Sequence, residues 1–220
     1  MISVAIDGFT GCGKSTLAQK LCEKLGFRML DTGAIFRGIA CAFGDMGYGE
    51  MTEKNIDKFV TEISVEVKFI DGVQHVIVNG DDKTPNLRTE KTSALASKIS
   101  VFPKVRTFMN DVARDFAKKN DCIIEGRDIG SVVLPNANVK IFLTADEDVR
   151  AKRRYLQLVE MGKSADYEEV LKDLKERDYR DSHRDVAPLK MTSDAIKVDN
   201  TNMTFEETVD FCYDLIKQKM

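Results

Sequence analysis

The eight residues that most constrain the fold of this chain lie near its N-terminus and read Gly8-Phe9-Thr10-Gly11-Cys12-Gly13-Lys14-Ser15. They fit the phosphate-binding pattern G-x-x-x-x-G-K-[ST] at every fixed position. The glycines let main-chain N–H groups turn toward phosphate oxygens without a Cβ in the way. Lys14 can reach the β- and γ-phosphates of a nucleotide, and the Ser15 hydroxyl can ligate Mg²⁺. We therefore expect the run from Gly8 to Thr16 to bind the phosphates of a nucleotide.

The flanking sequence supplies the context that this motif requires. Residues 2–6 are apolar and β-rich, as in a buried parallel strand, and residues 15–25 follow a helical pattern that Gly26 ends. The start of that helix adds its N–H groups and the positive end of its dipole to the phosphate site. The motif alone does not distinguish a kinase from an ATPase, a GTPase or a nucleotide binder without catalytic activity.

Further short apolar segments continue an alternation of strands and helices. We predict core strands over residues 27–30, 122–125, 139–143 and 195–198. Capping-box spacing, with Thr144 before Glu147 and Thr204 before Glu207, predicts that helices start at both threonines. The alternation indicates an α/β fold, with a mostly parallel sheet covered on both faces in a three-layer α/β/α arrangement.

Residues 63–80 interrupt this alternation. Val65, Val67 and Phe69 alternate with polar residues, Asp71-Gly72 is a hairpin turn signal, and valines return after the turn. This pattern predicts a small antiparallel β insertion in the parallel core.

The composition argues against several classes of protein. The chain has 220 residues, 43% hydrophobic and 31% charged, and its formal net charge of -3 gives no basic excess for nucleic acid. No apolar run approaches the roughly 18 residues that would suggest a membrane span, and the N-terminus lacks the features of a signal peptide. Five scattered cysteines without a CxxC pair suit reduced thiols in the cytoplasm.

Two arginines follow predicted strands at the sheet edge where ligands of α/β proteins bind. Arg37 stands shortly after Asp31-Thr32-Gly33, and Arg127 follows Glu125-Gly126 directly. Either side chain could hold a phosphate by bidentate hydrogen bonds. The alternatives stay open here, since Arg37 could be a solvated helix residue and Arg127 could form a turn salt bridge with Asp128.

Two arginine-rich segments occur later in the chain. Arg150, Arg153 and Arg154 share one predicted helix, and residues 177–185 contain three arginines and three aspartates. Charged helices are usually solvated, but phosphoryl transfer is catalysed by cations placed around the moving group. We interpret the two segments, joined near Gly162, as a mobile lid.

These ordered motifs resemble the bacterial-type cytidylate kinase family nearly end to end. Beyond the phosphate loop, the matching segments are Leu30-Asp31-Thr32-Gly33-Ala34-Ile35-Phe36-Arg37, Leu87-Arg88-Thr89, Phe102-Pro103-Lys104-Val105-Arg106, Glu125-Gly126-Arg127-Asp128-Ile129-Gly130, Arg177-Asp178-Tyr179-Arg180-Asp181 and Val186-Ala187-Pro188-Leu189. The resemblance implies one P-loop kinase domain over residues 1–220. Its core would span 1–62, 88–148 and 186–220, with an acceptor-binding β insertion over 63–87 and a helical lid over 149–185.

The resemblance also implies ATP-dependent phosphorylation of CMP and dCMP with Mg²⁺, by a cytoplasmic monomer that binds neither nucleic acid nor membranes. Catalytic roles would fall to Lys14, Arg127, Arg153, Arg154 and Arg177, and Ser15 would hold the metal. The expected substrate contacts are Thr32, Arg37, Ser97, Arg106, Arg127, Asp128, Arg177, Asp181 and Arg184. In this set the Asp128 carboxylate and the Ser97 hydroxyl suit the amino group of cytosine, whereas uracil presents a carbonyl there.

Two alternatives remain, and two residues depart from the family pattern. The chain could be a kinase for UMP or another small acceptor, or a nucleotide-binding regulator without catalytic activity. Phe36 stands where the family often has Tyr, so any contact from that hydroxyl is lost. Cys12 stands where Ala or Ser is more common, which predicts sensitivity to thiol reagents.

Overall fold

The computed structural model describes residues 1–87 and 89–220, so Arg88 of the Leu87-Arg88-Thr89 motif lies outside the described residues. The chain forms two compact units. The first unit contains both ends of the chain, Met1–Met29 and Asn120–Met220. The second unit is the continuous segment Leu30–Lys119.

Within the described residues, each of the five predicted core strands forms and is followed or preceded by a helix. In chain order the strands are β1 (Ser3–Gly8), β2 (Arg28–Asp31), β3 (Val65–Ile70), β4 (Val73–Val78), β5 (Asp81–Asp82), β6 (Cys122–Gly126), β7 (Val139–Thr144) and β8 (Ile196–Asp199). The helices are α1 (Lys14–Leu25), α2 (Thr32–Asp45), α3 (Glu53–Glu62), α4 (Glu90–Ile99), α5 (Pro103–Lys119), α6 (Glu147–Glu160), α7 (Tyr167–His183) and α8 (Phe205–Lys217).

The central sheet has the strand order β2-β6-β1-β7-β8. β1 pairs in parallel with β6 and with β7, and β8 pairs in parallel with β7. Val4 and Ile6 of β1 are fully buried, as expected for a central parallel strand with both faces covered. On one face α1 and α8 complete a core that includes Leu17, Leu21 and Ile216. This confirms the predicted α/β fold with a parallel core.

The second unit contains helices and the predicted insertion. β3, β4 and β5 form an antiparallel sheet, and Asp71-Gly72 occupy the turn between the first two strands. The alternation of half-buried and exposed residues along β3 matches the pattern of its sequence. The antiparallel insertion is therefore confirmed as structure, while the predicted boundaries of core, insertion and lid stay predictions.

The two helix starts predicted from capping patterns have different outcomes in the structure. The Thr204 hydroxyl accepts a hydrogen bond from the Glu207 N–H, and the Glu207 side chain returns one to Thr204, as predicted. The prediction of a helix start at Thr144 is wrong. Thr144 ends β7, where its carbonyl accepts the Asn200 N–H over 2.9 Å, and α6 begins at Glu147. The strand ladder therefore takes precedence over the capping pattern.

Candidate active site

The phosphate loop leaves the central strand β1 and leads into α1. At Gly8 a Cβ would lie 1.9 Å from the carbonyl oxygen of Leu143, so a side chain has no space where the loop passes β7. Gly13 precedes α1 with φ 92° and ψ 17°, a left-handed conformation that L-residues rarely adopt. The glycines of the motif are thus required by the backbone itself.

Lys14 is buried within the loop. Its ammonium group donates hydrogen bonds to the carbonyl oxygens of Gly8 at 2.9 Å and Phe9 at 2.7 Å. Burial lowers the pKa of Lys14 below its ordinary value, and the neighbouring charge of Arg127 lowers it further. The cation is therefore held at the loop, among main-chain acceptors that a phosphate could replace.

Ser15 has a carboxylate partner that the sequence reasoning missed. Its hydroxyl donates a short hydrogen bond to the side chain of Glu125. Glu125 is buried in β6, and its register partner in β1 is Ile6, so the adjacent strand delivers it to the phosphate loop. The sequence did contain a signal for this partner, because Glu125 is an acidic residue near the end of a buried strand that lies beside β1. Hydroxyl and carboxylate oxygens are ligands that Mg²⁺ prefers.

Four predicted substrate residues form a chain of contacts that reaches the phosphate loop. Arg127 donates from Nε to Asp181 Oδ2 at 2.8 Å and from Nη2 to Thr10 Oγ1 at 3.1 Å. Arg184 lies 3.8 Å from Asp181 Oδ1 and donates to Asp128 Oδ1 at 3.0 Å. Burial alone would raise the pKa of Asp181, but the nearby arginines outweigh it and hold the pKa below its ordinary value.

Asp7 is a second buried carboxylate that the sequence reasoning did not select. Its oxygens accept the main-chain N–H groups of Ile129 at 2.8 Å and Gly130 at 2.7 Å. These two residues begin the π-helical turn Ile129–Val133. Burial raises the pKa of Asp7 to about 6, and the nearby charge of Asp128 acts in the same direction. Asp7 thus fixes the backbone that follows Asp128.

The predicted lid arginines differ in their surroundings. Arg153 donates to the side-chain and main-chain oxygens of Asn200, both at 3.0 Å. Asn200 in turn donates to the carbonyl oxygen of Cys12 at 3.1 Å. Arg154 is exposed and donates to Gln157 at 2.7 Å. Arg153 is therefore tied to the phosphate loop through Asn200, a residue the sequence reasoning missed, while Arg154 lies on the solvated side of α6.

A buried ion pair joins α6 and α7, the two helices that the sequence predicts to form a lid. Arg150 of α6 donates to the carboxylate of Asp178 of α7, and both side chains contact Thr10 of the phosphate loop. The predicted catalytic residue Arg177 precedes Asp178 and is exposed on α7. Arg150 belongs to a segment noted in the sequence, but the buried role of Asp178 was not foreseen.

In the second unit, Thr32 and Arg37 lie on α2. Thr32 is the buried first residue of this helix. Asp31 caps the helix, accepting the Ala34 N–H at 2.9 Å with one oxygen, and binds Arg37 Nη2 at 2.9 Å with the other. Asp31 therefore orients Arg37 toward the start of α2, where main-chain N–H groups favour anions.

Arg106 and Ser97 lie on the two helices that follow the insertion. Arg106 is buried on α5, and its guanidinium carbon lies 5.5 Å from the centre of the Phe36 ring. Ser97 is partly buried on α4. Phe36, which replaces the tyrosine common in the family, thus offers its ring face to a cation.

A parallel sheet with a glycine-lined phosphate loop, a buried lysine and clustered arginines defines a P-loop kinase. The sequence profile of the family described as "Cytidylate kinase" matches residues 4–218. The chain belongs to this family, which confirms the resemblance noted in its motifs.

Relatives with this description cover the chain almost completely. A cytidylate kinase of Caldicellulosiruptor saccharolyticus is 40% identical over 208 residues, covering 94% of this chain and 92% of the relative. One from Lactobacillus gasseri is 41% identical over 221 residues, covering 100% and 95%. A solved structure, TT1252 from Thermus thermophilus, has a TM-score of 0.50 at 15% identity, covering 100% of this chain and 97% of that one. That likeness concerns the fold alone.

Proposed function

We propose that this chain transfers the γ-phosphoryl group of ATP to CMP and dCMP, forming CDP and dCDP. The observation that carries the proposal is an intact phosphate loop with a buried Lys14, in a chain that belongs to the cytidylate kinase family. The named relatives are cytidylate kinases. Free nucleotides are cytoplasmic substrates, and we infer a monomer in that compartment that binds no nucleic acid.

On the donor side, the run Gly8–Thr16 would surround the triphosphate with main-chain N–H groups and the Lys14 cation. The Ser15 hydroxyl and the Glu125 carboxylate fit Mg²⁺ by their chemistry. Among the described residues no cluster of three or more His, Cys, Asp or Glu side chains could hold a metal alone. The ion would therefore depend largely on substrate phosphates, whose charge it neutralises when bound.

Transfer itself would need only placement and cationic stabilisation. An acceptor phosphate oxygen attacks the γ-phosphorus, so the protein need not supply a nucleophile. We assign stabilisation of the transferring phosphoryl group to Lys14 of the phosphate loop, Arg127 after β6 and Arg177 of α7. Arg153 and Arg154 would approach the same group from the lid.

On the acceptor side, we assign the CMP phosphate to Thr32, Arg37, Arg127 and Arg177, and the β insertion to an enlarged acceptor-binding region. Ser97, Arg106, Asp128 and Arg184 would contact cytosine, and Asp181 the sugar. A site that accepts hydrogen bonds from an amino group rejects an analogue that presents a carbonyl there, because buried polar groups are left mismatched.

A coupled assay of ADP release with CMP, dCMP, UMP and AMP tests the proposal. We expect kcat/KM for CMP and dCMP to exceed that for UMP by on the order of tenfold or more. A Lys14→Met variant is the inactive control, and EDTA should abolish turnover. Conversion of UMP in preference to CMP would support the alternative acceptor, and no conversion of any monophosphate would reject the assignment as a kinase.

A further inference from the structure

Thr10 of the phosphate loop has each of its polar groups engaged by other parts of the first unit. Its N–H donates to Asp178 Oδ1 at 2.9 Å, and its carbonyl oxygen accepts from Arg150 Nη1 at 2.9 Å. Its hydroxyl oxygen accepts from Arg127 Nη2 at 3.1 Å. The N–H of Thr10 thus points at a carboxylate on α7, and Thr10 hydrogen-bonds the phosphate loop to both α6 and α7.

The ion pair on which this attachment depends is buried. Arg150 is 3% exposed and Asp178 is 7% exposed. Arg150 also donates from Nε to the Ala145 carbonyl at 2.8 Å, and its guanidinium lies 5.2 Å from the centre of the Phe9 ring. Buried ion pairs add little net stability compared with apolar residues of similar size, because desolvation opposes their attraction. Stability alone therefore does not explain this pair.

α7 reaches Thr10 by two routes. Asp178 contacts it directly, and Asp181, one turn further along the helix, contacts it through Arg127. Arg177 directly precedes Asp178 in the same helix. Any displacement of α7 would therefore move the phosphate loop together with the side chains assigned to CMP.

We propose that Asp178 is a positioning residue for phosphoryl transfer. Together with Arg150 it holds Thr10, so that the ATP-binding loop and the CMP-contacting face of α7 keep one fixed arrangement. This inference rests on the proposed function, in which the loop binds ATP while Arg177 and Asp181 contact CMP.

The main test replaces both members of the pair, so that neither buried charge is left unpaired. The double variant Arg150→Met/Asp178→Leu replaces both charges by apolar groups, and Asp178→Asn keeps an acceptor for the Thr10 N–H while removing the charge. Ile216→Ala in the α8 core is the control, because it lowers stability by creating a cavity within the fold. For each protein, calorimetry measures binding of Mg²⁺ with β,γ-imido-ATP without CMP, and assays give Tm, kcat and the KM for CMP.

We expect the double variant to fold with a Tm within a few degrees of the wild type. It should bind the ATP analogue on the order of tenfold more weakly and lose on the order of 100-fold in kcat, since small misplacements of reacting groups are costly. Asp178→Asn should be intermediate. Ile216→Ala should lower Tm and leave analogue affinity and kcat unchanged.

Three results would overturn the inference. One is analogue affinity and kcat within twofold of wild type in the double variant. Another is a loss of affinity and kcat in Ile216→Ala that matches its fall in Tm as the losses of the double variant do, because activity would then simply follow stability. The third is failure of both pair variants to fold, because the pair would then act as a stability element. If the wild type binds the analogue but does not phosphorylate CMP, the proposed function fails, and analogue binding alone decides the role of Asp178.

Discussion

Arg184 donates a hydrogen bond from Nη2 to Oδ1 of Asp128 across 3.0 Å, and both side chains are largely buried. An ionised carboxylate has several acceptor positions and no donor, so one cation does not exhaust its capacity. Asp128 is also followed by the turn whose N–H groups Asp7 holds. The carboxylate is therefore fixed in place as a hydrogen-bond acceptor.

This placement predicts that Asp128 favours cytosine over uracil. Asp128→Ala should lower the ratio of kcat/KM for CMP to that for UMP by on the order of tenfold, because a mismatched buried polar group costs about 1–3 kcal/mol. Parallel assays with both nucleotides measure the ratio. Asp128→Asn keeps the shape and gives the matched comparison, and an unchanged ratio in the alanine variant would remove Asp128 from base recognition.

Asp7 predicts an unusual dependence of stability on pH. Its pKa is raised from 3.8 to about 6 in the fold, so between about pH 4 and pH 6 the folded chain keeps a proton that the unfolded chain has released. The contribution of Asp7 to the free energy of unfolding therefore falls as pH rises through this window, by up to about 3 kcal/mol, and is constant above it.

Asp7→Asn isolates this effect because the amide does not titrate. Urea unfolding of both proteins between pH 4.5 and 7, a range chosen to span about pH 6, gives the difference in their free energies of unfolding. That difference, wild type minus variant, should decrease with rising pH. A difference that is constant or increases would contradict the raised pKa.

Because Cys12 is buried, we expect it to react with thiol reagents only slowly. Its thiol is fully buried and donates to the Phe9 carbonyl oxygen at 3.0 Å, whereas Cys41 is partly exposed. Alkylation of the native protein should therefore modify Cys41 first and Cys12 slowly, with ATP slowing Cys12 further. Peptide mass spectrometry follows both sites, and Cys12 labelling as fast as Cys41 would show that the loop opens readily.

Two different constraints favour glycine in the phosphate loop: the backbone conformation at Gly13 and the lack of space for a side chain at Gly8. Gly13→Ala would strain a backbone at φ 92°, but nothing lies within 4 Å of the added Cβ. Gly8→Ala would place its Cβ 1.9 Å from the Leu143 carbonyl oxygen, which belongs to the adjacent strand. We expect Gly13→Ala to cost about 1–3 kcal/mol and Gly8→Ala more than about 4 kcal/mol, as measured by urea unfolding. Equal losses would show that the strands adjust to the methyl group.

Local sequence signals predicted the parts of the fold that neighbouring residues decide. The glycine pattern located the loop, Asp71-Gly72 the hairpin, and Thr204 the start of α8. Thr144 misled because pairing with β8, a distant segment, outweighs a capping pattern.

The same limit explains the site residues that were missed. Asp178 meets Thr10 across 168 positions, and Asn200 meets Cys12 across 188. Nothing in the local sequence of either residue indicates its partner, because only the folded sheet brings them together.

The central place of β1 has a consequence for how the protein is made. Ser3 pairs with Cys122 and Val4 with Val139, so both flanking partners of the first strand are synthesised long after it. At about 5–20 residues per second, the ribosome leaves this apolar strand with two open edges for several seconds or longer. During that interval the nascent chain exposes a segment prone to aggregation, which chaperones are suited to shield until translation passes β7.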